Sequence, residues 1–91
     1  MSGRVPYRTS LDGNRVARQM NRLPREVHRA ISAAILALEE APRPYGVIKL
    51  TGRNEYRIRV GRYRIIYEID DAAQEIIITK VAIRSEHSYD D

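Results

Sequence analysis

Polar and apolar residues alternate along this chain with two different periods, and the change falls at Pro42-Arg43-Pro44. Upstream, Val16, Met20 and Leu23 recur at i, i+4 and i+7, the stripe of an amphipathic helix. Leu23-Pro24 ends it, and Pro24 suits the first position of a second helix, where its missing N–H is no loss. Val27, Ile31, Ala34, Ile35 and Leu38 form the second stripe and predict a helix to about Ala41, stopped by the prolines. Before both, Tyr7 to Leu11 reads as a short extended segment, with Asp12-Gly13-Asn14 supplying turn and N-cap chemistry.

Downstream the period is 2. Val47-Ile48-Lys49-Leu50 is a short extended stretch closed by Thr51-Gly52. From Glu55 to Val60, Tyr56, Ile58 and Val60 share one face and Arg57 and Arg59 the other. Gly61-Arg62 makes a tight connection into Tyr63 to Asp70, where Tyr63, Ile65, Tyr67 and Ile69 oppose Arg64, Ile66 and Glu68. Asp70-Asp71-Ala72-Ala73 is the next turn, and Glu75 to Ile83 the last strand. The pattern predicts a single α+β domain over residues 1–91, with an N-terminal strand and a two-helix hairpin packed on one face of an antiparallel β-sheet, in the order β-α-α-β-β-β. It leaves open where the first strand joins the sheet.

With 91 residues, 43% hydrophobic and 31% charged, the chain is an ordinary globular sequence with material for one core, so function belongs on its surface or in a shallow cleft. It has no cysteine, which excludes disulfides, thiolate chemistry and Cys-based zinc sites. Met1 to Leu11 contains Arg4, Pro6 and Arg8 without an apolar run, and no stretch approaches the ~20 apolar residues of a membrane span. A soluble, cytoplasmic protein without a membrane partner is expected. The P-loop, HExxH, GxSxG and EF-hand patterns are missing. Two distant histidines do not make a zinc site, Asp70-Asp71 has only a weak claim to a metal, and neither metal nor cofactor is expected.

Charge distribution sharpens this. Between Pro42 and Arg64, seven cations (Arg43, Lys49, Arg53, Arg57, Arg59, Arg62 and Arg64) meet one acid, Glu55, whereas from Ile65 onward Lys80 and Arg84 meet seven acids. The central segment suits a polyanion, and arginine offers planar, bidentate donors that fit phosphate. Period-2 geometry gathers Arg57, Arg59 and Arg64 on the sheet face away from the helices. Like charges so close are unfavourable unless an anion shares them, so a phosphate cradle is expected there, the plain alternative being a solvated basic face. Arg84, His87 and Tyr89 follow the last strand. A tail folding back would bring an imidazole able to move protons and a phenol able to stack on a base. His28, inside the second helix, reads as structural.

The runs Arg22-Leu23-Pro24-Arg25-Glu26-Val27, Lys49-Leu50-Thr51-Gly52 and Tyr56-Arg57-Ile58-Arg59-Val60-Gly61-Arg62-Tyr63-Arg64-Ile65-Ile66-Tyr67-Glu68-Ile69-Asp70-Asp71 resemble the RelE branch of the RelE/ParE toxin superfamily, the likeness extending from Tyr7 to Tyr89. The resemblance implies a RelE-like fold and the toxin of a type II toxin–antitoxin pair. It implies an mRNA endoribonuclease, working without metal in the ribosomal A site, that inhibits translation. In that chemistry the messenger's 2′-hydroxyl attacks the adjacent phosphate. The implied partner is a cognate antitoxin, in a toxin–antitoxin hetero-oligomer. Carried over by position, Arg57 and Arg59 line the cleft, Arg64 binds phosphate, Arg84 stabilises charge or assists the leaving oxygen, and Tyr89 orients the nucleotide. Well-studied members carry lysines in place of Arg57 and Arg59. Arginine is effectively always protonated and makes a poor base, so the proton falls to His87 with Tyr89. Two alternatives stand: a ParE-like DNA gyrase inhibitor, and a catalytically inactive homologue acting as antitoxin partner and corepressor.

Overall fold

A computed structural model describes residues 6–52 and 54–83. The chain runs β1 (Arg8–Leu11), α1 (Gly13–Asn21), α2 (Arg25–Glu40), β2 (Ile48–Lys49), β3 (Glu55–Val60), β4 (Tyr63–Asp70) and β5 (Glu75–Ile83). The five strands form one sheet in the order β1-β5-β4-β3-β2. The α+β arrangement of two helices on one sheet face is the one the periodicity predicts. The place of β1 is new: it lies at the edge and runs parallel to β5, Arg8 opposite Glu75 and Leu11 opposite Ile78, so the sheet is mixed.

The stripes become the core. Val16 and Met20 of α1, Ile31, Ile35 and Leu38 of α2, Ile65 and Tyr67 of β4, and Ile76, Ile78 and Val81 of β5 are buried together. Each such aliphatic side chain contributes roughly 1.5–3 kcal/mol by leaving water. Tyr56, Ile58 and Val60 of β3 are half-buried against this cluster, as their alternation requires. No helix among the described residues is long and apolar enough to cross a membrane.

Three details depart from the pattern. Asp12 holds the N-cap position of α1, but its side chain makes no capping hydrogen bond. Pro24 is the N-cap of α2 rather than its first helical residue, because its ψ of 153° is extended; its carbonyl accepts the His28 N–H at 2.8 Å. In β5 the alternation slips by one. Ile66 faces Lys80 but Tyr67 faces Ile78, leaving Thr79 as the extra residue of a bulge whose hydroxyl donates to the Ile66 carbonyl at 3.1 Å. The slip lets Ile78 and Val81, three residues apart, both enter the core.

α1 does more than cover the core. β1 pairs with β5 only as far as Ile78, so the β5 edge beyond it needs another acceptor. Gln19 supplies it: its Oε1 accepts the Val81 N–H at 2.8 Å. Replacing Gln19 with Ala takes away that acceptor and is expected to lower unfolding free energy by about 1–2 kcal/mol, read from chemical denaturation with an unchanged m-value.

Candidate functional site

β3 and β4 are joined by two residues, Gly61 and Arg62, with Val60 opposite Tyr63. Gly61 takes a φ of +60° and Arg62 a negative one, the φ pattern of a type II′ hairpin turn. That turn sets the register of the pair: Arg59 lies directly opposite Arg64, Arg57 opposite Ile66, and Glu55 opposite Glu68. Directly opposed residues of an antiparallel pair share a face, so all six stand on the face away from the helices.

Three arginines therefore share one sheet face beside the hairpin. Arg59 is exposed, whereas Arg57 and Arg64 retain only 9% and 5% of their surface. A cation taken out of bulk water interacts far more strongly with an incoming charge than one on a wet surface. The arrangement can hold a phosphate group and stabilise added negative charge on it. Of the six site residues expected from sequence, Arg57, Arg59 and Arg64 are brought together; Arg84, His87 and Tyr89 lie outside the described residues.

Among the described residues, the other cations of the central segment stand apart from these three, and Arg53 lies outside the described residues. Arg62 sits in the exposed turn, and Lys49 pairs with Tyr56, which belongs to the opposite face. Arg43 is engaged elsewhere. Its Nη2 donates to Asp71 Oδ2 at 3.0 Å and its Nη1 to Asp71 Oδ1 at 3.4 Å, while its Nε donates to the Tyr56 hydroxyl at 3.2 Å. The Tyr7 hydroxyl donates to Asp71 Oδ1 at 2.7 Å. Tyr56 stacks on Tyr67 with ring centroids 5.9 Å apart, and the buried Tyr67 hydroxyl donates to the Pro42 carbonyl at 2.8 Å. Burial pushes the Tyr67 phenol upward, and Asp71 followed by Tyr56 raises the Arg43 guanidinium. Asp71, given a weak claim to a metal above, is a clasp residue tying the proline linker and the start of β1 to the β4–β5 turn. Among the described residues no three of His, Cys, Asp and Glu converge as metal ligands do.

Beyond the arginines, the same face opens into a polar cavity of about 450 Å³ lined by Asp12, Arg15, Leu50, Glu55, Ile66, Glu68, Thr79 and Lys80. Sequence reasoning missed it as a site. Its signal was half visible, since period 2 already puts Glu55 with Arg57 and Glu68 with Arg64. The rest comes from the Thr79 bulge and the start of α1. A second recess, about 550 Å³ and mostly apolar, lies between α2 and β3, with Ala34, Ala37 and Ala41 on one side and Ile58 and Val60 on the other.

The family model described as ParE toxin of type II toxin-antitoxin system, parDE, matches residues 13–87. No curated protein matches the chain. Among solved structures, the archaeal RelE–RelB complex from Pyrococcus horikoshii OT3 includes a chain 31% identical to this one, with a TM-score of 0.79 over 89% of this chain and 98% of that one. The toxin–antitoxin complex RelBE2 from Mycobacterium tuberculosis gives 25% identity and a TM-score of 0.77, covering 88% of this chain and 100% of that one. The isolated E. coli RelE toxin, at 21% identity, is similar in fold: its TM-score is 0.78, covering 90% of this chain and 88% of that one.

The clasp makes a prediction about acid. The hydrogen bonds from Arg43, then from Tyr7, hold the Asp71 carboxyl below its ordinary value. A depressed carboxyl adds stability above its unfolded-state value, near 3.9, and loses it as pH falls through the folded value below that. Wild type is therefore expected to be more stable than Asp71→Asn at pH 6. The gap closes as urea titrations are taken to pH values low enough to protonate the folded carboxyl.

Proposed function

The chain belongs to the RelE/ParE family, toxins of type II toxin–antitoxin systems, and we propose that it is the mRNA-cleaving kind, an endoribonuclease that inhibits translation by cutting messenger in the ribosomal A site. The observation that carries this reading is the convergence of Arg57, Arg59 and Arg64 on one sheet face with two of them buried.

In the proposed reaction the 2′-hydroxyl of the messenger attacks the adjacent phosphorus and the bond from phosphorus to the 5′-oxygen breaks. The products are a 2′,3′-cyclic phosphate and a 5′-hydroxyl. Negative charge builds on the phosphorane oxygens, and preorganised donors at that charge are worth more than any uniform attraction for RNA. Arg64 and Arg59, directly opposed, bracket the phosphate, and Arg57 extends the cradle by one cross-strand row. None of the three accepts a proton. In this reading His87, with Tyr89, takes the 2′-hydroxyl proton, Arg84 stabilises the charge on the leaving 5′-oxygen, which takes up a proton from water, and Tyr89 orients the nucleotide. The ribosome holds the messenger in an attackable shape, so positioning supplies part of the rate.

A cognate antitoxin is the expected protein partner, as the two relatives above were solved as complexes with theirs. An acidic or amphipathic segment that orders on binding fits the charge of this face. The description of the matching family model favours a second reading, ParE-like inhibition of DNA gyrase by binding alone.

Primer-extension mapping of a defined mRNA, with and without ribosomes, tests the proposal. Wild type is expected to cut, and Arg59→Ala to lose about 10²–10³-fold in rate, the usual effect of removing one preorganised donor. Arg59 is exposed, so this variant keeps its core; Arg64→Ala is expected to be inactive. Absence of cuts in both conditions, together with inhibited supercoiling by gyrase, would replace the nuclease reading with the second one.

A further inference from the structure

We infer that the proton reaching the leaving 5′-oxygen passes through Lys80, which gives it up from its ammonium group and regains one from water, an assignment that rests on the ribonuclease reading. The Thr79 bulge puts Lys80 where it can do this. Ile76 and Ile78 of β5 are both fully buried in the core, so strict alternation would send residue 80 the same way. The extra residue breaks that order: Val81 enters the core at 3% exposure, and Lys80 stands directly opposite Ile66. Ile66 in turn opposes Arg57, so Lys80 shares the arginine face. Re-aiming a side chain beside a site is a recurrent use of such bulges.

Reach follows from the register. Arg64 opposes Ala82, two residues beyond Lys80, so Arg64 and Lys80 are diagonal neighbours on adjacent strands. Such neighbours lie about 7–8 Å apart, within reach of long side chains. A phosphate held against Arg64 is therefore within range of a lysine on its flexible four-carbon stem. Lys80 is half-buried, and its side chain makes no hydrogen bond or ion pair among the described residues, so its ammonium is not committed elsewhere. It also lines the polar cavity, through which water can return the proton.

Residue type decides the role. As a class, lysine side chains release a proton at least about a hundredfold more readily than arginine side chains do. Arg57, Arg59 and Arg64 can hold the charge of the phosphorane, but they are poor acids towards an alkoxide. The chain's other lysine, Lys49, pairs with Tyr56 and belongs to the helix side of the sheet. Among the described residues Lys80 is thus the one amine of the arginine face. As the bond from phosphorus to the 5′-oxygen breaks, an N–H of Lys80 passes its proton to that oxygen, and the product is the 5′-hydroxyl. The proton removed from the 2′-hydroxyl goes to His87 and on to water. One proton returns from water to the neutral amine, and the count closes.

Ribosomes programmed with an mRNA whose bridging 5′-atom at the cut is either oxygen or sulfur provide the test. A thiolate leaves without help from an acid, whereas an alkoxide needs one. Wild type is expected to cut both messages. Lys80→Met keeps the length of the side chain and Lys80→Arg keeps its charge, and each is expected to lose about 10²-fold in rate on the oxygen message. On the sulfur message both are expected to stay close to the wild-type rate, which also shows that they fold and reach the ribosome. Wild-type rates for either variant on the oxygen message, or equal losses on both messages, overturn the role of Lys80 and leave the nuclease standing. Failure of wild type to cut the oxygen message overturns the nuclease reading and the part of Lys80 in it.

Discussion

The two-residue turn at Gly61 and Arg62 fixes the register of β3 against β4, and nearly everything else follows from that pairing. Side chains alternate strictly across a strand, so a slip of β3 by one residue would send Tyr56, Ile58 and Val60 to water and Arg57 and Arg59 into the core. With a glycine at φ +60° the turn matches the twist of the strands, and the slip is disfavoured from both ends: by the turn and by the core. Folding and the proposed function thus share one device. Packing two stripes against the helices is the same act as presenting Arg57, Arg59 and Arg64 together on the far side.

The same residue type does opposite work in two places. Arg43 and Asp71 are both largely exposed and meet as a bidentate pair. Pairs of this kind are worth little singly, and this one matters through the Tyr7, Tyr56 and Tyr67 contacts around it. Arg57 and Arg64 are buried, so water screens them poorly and their positive charge is concentrated at one spot. Desolvating a cation is costly, and a fold bears that cost more readily where the cation serves a ligand. Burial and facing, rather than residue identity, separate the clasp from the cradle.

How much of this was legible depends on how local each feature is. The bounds of β3, β4 and β5 and the two helical stripes are written in periodicity, so they were readable residue by residue. The facing of Arg57, Arg59 and Arg64 followed by parity alone. The Thr79 bulge was not readable, because an extra residue in Ile76-Ile77-Ile78-Thr79 leaves no trace in a run where most positions are apolar. β1 has only four residues, and its alternation says nothing about which strand it joins or in which direction. The Arg43 clasp was hidden for a different reason. A count of charge along the sequence adds Arg43 to Arg57 and Arg64, although Asp71, in the turn after β4, claims it. The polar cavity combines both failures, since it needs the bulged strand and the start of α1.

A shared fold does not choose between cutting RNA and jamming a partner enzyme, because relatives with one scaffold do both kinds of work. The choice has to rest on what the face is built to do. Inhibition by binding asks only for a complementary surface, and exposed charges serve that purpose without the cost of burying cations. Stabilising a transition state asks for donors already desolvated and held still before the charge develops, because donors that must reorganise give part of their advantage back. Arg57 and Arg64 are buried, which is what the proposed nuclease asks of its donors. Their chemistry also limits the scheme: arginines on β3 can gather charge but cannot accept a proton. A nuclease built on this face must therefore separate the two tasks, with charge stabilisation on the rigid hairpin and proton transfer on groups outside it.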